Sequence, residues 1–183
     1  MNIYVLIFEG FAQFEVVLAN YFLKTKGSII TVGINNKSVT SGEGFITLPH
    51  TTIDEVSPED VDLFIVPGGD PDTLPNEESF YSFLNKLSDK NKKIGAICSG
   101  AIHLAKSGIL YNKKFTTTVS LDDYECFNKN NFKNRNVVID GNIITAKANG
   151  YVDFALELGT MMDIYEDEND YQETVEYFKK FNG

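Results

Sequence analysis

The chain has 183 residues, 43% hydrophobic and 23% charged, as expected for a globular protein with a sizeable core. Its formal net charge of −10 argues against nucleic acid and against an anionic membrane surface as partners. No stretch approaches the roughly 18 apolar residues of a membrane span, and Glu9 interrupts the first apolar run, so no membrane segment or signal peptide is predicted. Two cysteines, Cys98 and Cys126, do not make a disulfide framework, and a reducing cytoplasm is the expected location.

The N-terminal part predicts a strand, a helix and a second strand. Asn2 to Phe8 is a nearly continuous apolar run, which is typical of a central strand buried on both faces. Gln13 to Lys26 predicts a helix whose apolar residues fall on one face, namely Phe14, Val17, Leu18, Tyr21 and Phe22. Ser28 to Ile34 predicts the next strand. This strand–helix–strand order indicates a parallel sheet.

The middle of the chain adds a hairpin and two buried strands. Lys37 to Pro49 contains turn residues between short alternating pieces, which favours a hairpin excursion. Leu63 to Val66 predicts a buried strand that ends at Gly68-Gly69. Phe80 to Leu87 has helical spacing, and Ile94 to Ile97 predicts another buried strand.

The C-terminal part predicts further strands and two helices. Phe115 to Val119 predicts a short threonine-rich strand. Val137 to Ile139 and Ile143 to Thr145 flank Asp140-Gly141-Asn142 and predict a hairpin. The last two helices are marked by apolar residues at helical spacing, in turn Phe154, Leu158 and Met161, and then Tyr171, Val175 and Phe178. We expect one α/β domain over residues 1–183, with a mainly parallel central sheet and helices on both faces.

Cys98 lies where the strand Ile94–Ile97 passes into a helical pattern. Ala96 and Gly100 lie two residues before and after it, and such small residues permit the sharp turn called a nucleophile elbow. A helix N-terminus next to the cysteine favours thiolate over thiol. The alternative is a small apolar core residue without reactivity.

Three features follow the carboxyl ends of predicted strands, where ligands bind in such sheets: Glu15, Gly68-Gly69 and Cys98. Backbone N–H groups near Gly69 and Ser99 can face an oxygen that develops charge on a substrate bonded to Cys98. Glu15 can hydrogen-bond the sulfur or act as general acid or base, with a pKa raised by burial and a nearby thiolate. Alternatively, Glu15 only complements a helix dipole, and the glycines only form a turn.

The remaining candidate side chains favour structural roles. His103 lies well around the helix from Cys98, so packing or a surface position is expected. His50 follows Pro49 in a predicted loop that offers nothing local to orient it. Cys126 is expected to be partly buried and structural. No cluster has metal-ligand spacing, so no metal site is predicted.

These motifs together resemble the DJ-1/ThiJ/PfpI superfamily, a flavodoxin-like branch related to class I glutamine amidotransferases. The matching segments are Gly10 to Glu15, Val66 to Gly69, Ala96 to Gly100 and Thr145 to Ala155. The resemblance implies a flavodoxin-like sandwich in which Cys98 is the elbow nucleophile and Glu15 hydrogen-bonds it. It also implies that Gly68, Gly69 and Ser99 present backbone groups, that no cofactor is needed, and that the protein forms a homodimer.

The departures from that pattern restrict the activity. Protease-like members carry histidine directly after the cysteine, where this chain has Ser99, and amidotransferases use a late histidine, whereas none follows His103. DJ-1 itself places a histidine after the elbow helix, where this chain has Thr118, a possible pocket residue. These differences disfavour peptidase, amidotransferase and glyoxalase activities. They favour the isocyanide-hydratase-like branch, which pairs the cysteine with an acidic residue.

Three functions stay open from the sequence. The first is a hydratase or hydrolase that acts on a small-molecule substrate through Cys98 and Glu15. The second is a redox-sensing or stress-protective protein in which Cys98 oxidises to a sulfinate. The third is a non-catalytic ligand-binding domain.

Overall fold

The computed structural model describes residues 1–70, 73 and 78–182. The strands are β1 (Asn2–Leu6), β2 (Ser28–Gly33), β3 (Val39–Thr40), β4 (Ile46–Thr47), β5 (Thr51–Thr52), β6 (Leu63–Val66), β7 (Lys93–Ile97), β8 (Val137–Asp140) and β9 (Ile143–Ala146). The α-helices are α1 (Phe14–Leu23), α2 (Glu78–Asp89), α3 (Ala101–Lys106), α4 (Tyr151–Met161) and α5 (Glu168–Lys179).

The central sheet has seven strands in the order β5-β2-β1-β6-β7-β9-β8. All neighbouring pairs are parallel except β8 with β9, which are antiparallel. The predicted mainly parallel α/β fold is therefore confirmed, and so is the β8–β9 hairpin, where Gly141 takes a φ of +66° that glycine readily adopts. The predicted excursion after β2 is the separate antiparallel pair β3–β4.

Helices cover both faces of this sheet, which explains the unbroken apolar strand sequences. Within β1, Ile3 and Val5 face a core formed with α1, α4 and α5. Tyr4 and Leu6 face the opposite core, which contains residues of α2 and α3. Because both faces are buried, successive side chains must all be apolar, and no polar alternation remains.

The predicted strand Phe115–Val119 is wrong. Only Phe115 forms a bridge there, with Phe132. Thr116 instead bonds by its N–H to the Thr145 side chain, at 2.9 Å, and by its hydroxyl to the Arg135 carbonyl, at 2.8 Å. At this position, hydrogen bonds that involve side chains take the place of the backbone hydrogen bonds that would pair a strand with its neighbour.

The apolar residues predicted to share one face of α1 do not share one environment: Phe22 is buried, whereas three of the others are exposed. Phe14 and Val17 are each 49% exposed and Tyr21 is 64% exposed, whereas the buried residues of the helix include Glu15, Val16 and Ala19. The helix is apolar around most of its circumference, so spacing alone does not fix which side packs on the sheet. The face carrying Glu15 is buried, and a second apolar face remains open.

Candidate functional site

Cys98 lies at a strained turn between β7 and α3. It directly follows Ile97 and begins a short 3-10 turn, Cys98–Gly100, that leads into α3. Its φ of +57° is in the left-handed region, which residues other than glycine enter at an energetic cost. The hydroxyl of Thr117 donates to the Cys98 carbonyl at 2.8 Å. The structure therefore has the predicted elbow geometry, with the half-buried thiol at the carboxyl edge of the sheet.

Gly100 allows this turn to approach the neighbouring strand. A Cβ atom at Gly100 would lie 2.4 Å from the Val66 carbonyl oxygen and 2.7 Å from that of Pro67. These contacts are to backbone, which cannot swing away. A larger residue at this position is therefore incompatible with the turn.

Glu15 is the acidic partner of Cys98. Its side chain is 2% exposed, and its Oε2 accepts the Gly68 N–H at 2.7 Å. The same carboxyl group forms a hydrogen bond with the Cys98 thiol. A Cβ at Gly68 would lie 2.7 Å from Glu15 Oε2 and also 2.7 Å from Cys98 Cβ, so only glycine leaves room for the pair.

Both members of this pair have raised pKa values. Burial is the main cause for Glu15, and the nearby Glu43 charge adds to it. Burial and the Glu15 charge raise the pKa of Cys98 to about 11. Burial and the Glu15 charge therefore act against the thiolate that a helix N-terminus is expected to favour. The two groups titrate as a coupled pair, because a negative charge on either one raises the pKa of the other.

Two donors nevertheless stabilise a negative charge on the sulfur. The Thr118 hydroxyl and the Ser99 N–H both form hydrogen bonds with Cys98 that lower its pKa. The Ala148 N–H donates to Thr118 Oγ1 at 2.8 Å, which leaves the hydroxyl proton directed at the sulfur. Thr118, a possible pocket residue from the sequence, thus contacts Cys98.

The glycine N–H groups expected to face a substrate oxygen are already occupied. The Gly68 N–H donates to Glu15, and the Gly69 N–H donates to Ser99 Oγ at 3.0 Å. The Ser99 hydroxyl in turn donates to the Gly69 carbonyl, also at 3.0 Å. Gly69 and Ser99 are therefore joined by two hydrogen bonds. The Gly69 N–H becomes available to a substrate only if its hydrogen bond to Ser99 breaks.

Two supporting residues escaped the sequence analysis. Thr117 holds the Cys98 carbonyl, although the threonine run suggested only a strand. Glu43, from the turn between β3 and β4, accepts the Phe14 N–H at 3.0 Å and the Gln13 N–H at 3.1 Å. It therefore holds the N-terminus of the helix that carries Glu15. Burial acts to raise the pKa of Glu43, but these and other hydrogen bonds outweigh it and the pKa is lowered.

The remaining histidines and Cys126 lie apart from this pair. His103 is 1% exposed and packs edge-on against Phe80, with Nδ1 3.3 Å from the Tyr81 hydroxyl, which confirms its packing role. His50 Nδ1 accepts from Thr31 N–H at 3.0 Å. Cys126 is half-buried, as expected. Over the described residues, no group of three or more His, Cys, Asp and Glu side chains is arranged to hold a metal ion.

His103 is expected to make the fold less stable in mild acid. Burial, with the charge of Lys106, lowers its pKa from 6.5 to about 3, so the unfolded chain binds the proton first as pH falls. Between pH 7 and pH 5 this costs about 2 kcal/mol of unfolding free energy. Urea unfolding at both pH values measures it. His103→Leu is expected to lose that part of the pH dependence, and His50→Gln to keep it. Equal slopes in wild type and His103→Leu would contradict the assignment.

Most of the chain, including this site, matches a known protein family. The model of the DJ-1/PfpI family matches residues 1–161, which include the elbow, Glu15 and Thr118. The chain belongs to the DJ-1/PfpI family. Helix α5 (Glu168–Lys179) lies beyond the matched region.

Relatives within the DJ-1/PfpI family differ in the activities that their names state. The chain is 27% identical over 152 residues to Deglycase PfpI of Pyrococcus furiosus, covering 82% of this chain and 92% of the relative. It is 29% identical over 167 residues to the uncharacterized protease YoaZ of Bacillus subtilis, covering 85% and 77%. The DJ-1 superfamily protein Atu0886 of Agrobacterium tumefaciens has the same fold, with a TM-score of 0.88, 20% identity and full coverage of both chains.

Proposed function

We propose that this protein is a hydrolase or hydratase for a small molecule, with Cys98 as nucleophile and Glu15 as proton carrier. One observation carries the proposal. The buried Glu15 carboxyl group accepts the Gly68 N–H at 2.7 Å and forms a hydrogen bond with Cys98, whose φ is +57°. A raised carboxyl pKa beside a nucleophile is the arrangement that general acid–base catalysis requires.

The reaction proceeds in two steps at this pair. The Cys98 thiol loses its proton to the Glu15 carboxylate while its sulfur bonds to an electrophilic carbon of the substrate. Glu15 then returns that proton to the leaving group, or to the substrate atom that gains electrons in a hydration. In the second step Glu15 takes a proton from water while the water oxygen bonds to the same carbon. The S–C bond then breaks, and Glu15 returns the proton to the sulfur, which restores the thiol.

Several observations support a small substrate and this class of reaction. The sulfur is half-buried, and the surrounding backbone is crowded by Gly68, Gly69 and Gly100. Three relatives named deglycases, from Thermococcus kodakarensis, Pyrococcus furiosus and Pyrococcus horikoshii, are 25–27% identical to this chain. Deglycation is therefore one reaction to test, beside the hydration favoured by the Cys98–Glu15 pair without histidine.

Selective alkylation tests the proposal. In a Cys126→Ser variant, Cys98 is the sole cysteine, and iodoacetamide labelling can be followed by intact mass. We expect turnover of glycated thiols, amides or isocyanides to fall in proportion to the labelled fraction, because the alkylated sulfur cannot attack. Turnover that persists after complete labelling, or no turnover of any of these substrates by unlabelled protein, would overturn the hydrolase proposal.

A redox role is the second candidate, and the donors around the sulfur favour it. The Thr118 hydroxyl and the Ser99 N–H both direct hydrogen-bond donors at Cys98. These groups suit a sulfinate, which forms when two peroxide molecules each transfer one oxygen to the sulfur and leave as water. Mild peroxide followed by peptide mass spectrometry tests this. A two-oxygen adduct is expected at Cys98 and not at Cys126. If Cys98 neither turns over substrate nor oxidises, a non-catalytic ligand-binding role is left.

We also propose that the protein is a homodimer whose subunits meet at the open face of α1. This surface, the α1 groove, has a volume of about 770 Å³ and is mainly apolar; it is lined by Phe14, Val17, Tyr21, Phe45 and Tyr177 among others. Exposed apolar patches of this kind mark interaction sites.

Within the described residues, no helix is both long and apolar enough to cross a bilayer. A cytoplasmic location stays a prediction from the sequence.

Val17→Glu is expected to convert the dimer to a monomer, because it places a charge in the middle of this apolar surface. Light scattering coupled to size-exclusion chromatography measures the mass directly. Tyr111→Glu is the matched control, since Tyr111 is 69% exposed but lies outside the groove. A monomeric wild type, or an unchanged dimer in Val17→Glu, would contradict the proposed interface.

A further inference from the structure

A second cavity, outside the Cys98 site, lies along the open edge of the sheet. Strand β8 is the terminal strand there, and residues Val137 to Ile139 form one wall of a cavity of about 370 Å³. Lys114, Lys133 and Arg135 also line this cavity. This volume is near the lower end for sites that take small organic ligands.

The three cations are unusual in a chain with a net charge of −10. None of their head groups forms an ion pair with a carboxylate anywhere in residues 1–70, 73 and 78–182. The neighbouring Lys113, by contrast, is paired with Asp140 at 3.8 Å. Arg135 is also the sole arginine of the chain. Positive charge has therefore gathered at one cavity without an internal partner.

The backbone under all three residues is fixed by hydrogen bonds. The Lys114 N–H donates to Asp140 Oδ2 at 2.9 Å, and the Lys133 N–H donates to the Phe115 carbonyl at 2.8 Å. The Arg135 carbonyl accepts the Thr116 hydroxyl at 2.8 Å. Because these contacts hold the chain in place before a ligand arrives, binding need order only the side-chain ends.

The other walls define the shape of a ligand. Val137 and Ile139 give an apolar surface, and Ile139 is 46% exposed. Glu157 is the single carboxylate among the described residues that line the cavity, and burial together with the Asp153 charge raises its pKa. A ligand with a doubly negative end and a small apolar body matches both the cationic and the apolar residues that line the cavity.

We infer that this cavity binds a small organic dianion, either a phosphate monoester or a dicarboxylate, through Lys114, Lys133 and Arg135. Arg135 offers a planar fork that can bind two oxygens of such a group, and the two lysines add compact positive charges. The apolar body of the ligand packs on Val137 and Ile139. The site is independent of the chemistry proposed at Cys98.

Calorimetric titration at constant ionic strength, with phenyl phosphate, phthalate and benzoate as probes, tests this inference. We expect either dianion to bind at least about tenfold more tightly than the monoanion benzoate, since charged hydrogen bonds are lost with the second charge. Whichever of the two dianions binds more tightly shows whether the natural ligand is a phosphate monoester or a dicarboxylate. Binding that is no better for either dianion than for benzoate would overturn the inference.

Variants locate the binding. Lys133→Gln with Arg135→Gln is expected to weaken binding of the tighter dianion at least about tenfold. Lys24→Gln with Lys26→Gln removes the same charge from an exposed turn after α1 and should leave it unchanged. Cys98→Ser should also bind as wild type does, which separates this site from the proposed activity. Equal weakening in both double variants would show that binding depends only on the net charge of the protein, and would overturn the site. Aggregation of the first variant without anion binding by wild type would show instead that the cations protect the sheet edge.

Discussion

Glu15→Gln is expected to change thiol reactivity and turnover in opposite directions. Glutamine can still accept the Gly68 N–H, so the local structure is kept. Loss of the carboxylate charge lowers the pKa of Cys98 below its value of about 11, and alkylation near pH 8 should become about tenfold faster. Turnover should fall about 10²–10⁴-fold, because the group that moves the proton has gone.

The pH dependence of iodoacetamide alkylation measures the first effect. Turnover of whichever glycated thiol, amide or isocyanide the wild type accepts measures the second. Asp123→Asn removes an exposed carboxylate elsewhere and is the matched control for net charge. The proposed pair would be disproved by a variant whose alkylation profile is the same as that of wild type. Faster alkylation with unchanged turnover would leave Glu15 as a neighbour of the sulfur with no part in proton transfer.

Gly100→Ala is expected to cost about 3 kcal/mol of unfolding free energy, at the upper end for overpacking. The added Cβ would lie 2.4 Å from the Val66 carbonyl oxygen, so either the elbow or β6 must move. For a chain of this size the melting temperature should fall by roughly 6–12 °C. Movement of the elbow also separates Cys98 from Glu15, so surviving folded protein should have lost turnover.

Gly42→Ala is the control for this experiment. A Cβ at Gly42 meets nothing closer than 3.7 Å, so the same methyl group is tolerated there. Differential scanning calorimetry of both variants compares them directly. A Gly100→Ala protein with the melting temperature and turnover of wild type would show that the elbow does not need this close approach.

The sheet was predictable from the sequence because its strands are buried on both faces. Leu63–Val66 was predicted with the observed bounds, and the apolar run of β1 fills two cores at once. The strand predicted at Phe115–Val119 is wrong because of its threonines. Threonine favours strands, yet its hydroxyl also bonds backbone and side chains locally, and sequence alone does not show which partner is near.

The orientation of α1 was not predictable for a different reason. Its residues are apolar on two faces, and the buried face is the one that contains Glu15. A carboxyl group is normally a sign of the solvent side. The helix therefore departs from the usual pattern at the position where the proposed chemistry needs a buried acid, and the exposed Phe14, Val17 and Tyr21 follow from that choice.

The site was predictable in its parts that lie next to strand ends. Glu15 and Cys98 could be placed together because parallel strands end at one edge. Glu43 could not, since it reaches α1 from the distant turn between β3 and β4. The occupied N–H of Gly69 was also unforeseen, because it depends on the rotamer of Ser99.

The position of Glu43 connects two properties of the molecule. Glu43 lines the α1 groove, accepts the first N–H groups of α1 and raises the pKa of Glu15. Whatever fills the groove and shifts Glu43 therefore alters the proton affinity of Glu15. By thermodynamic reciprocity, protonation of Glu15 alters the affinity for the occupant of the groove. In the proposed dimer, subunit association and the proton affinity of Glu15 are therefore two equilibria that are coupled through the N-terminus of α1.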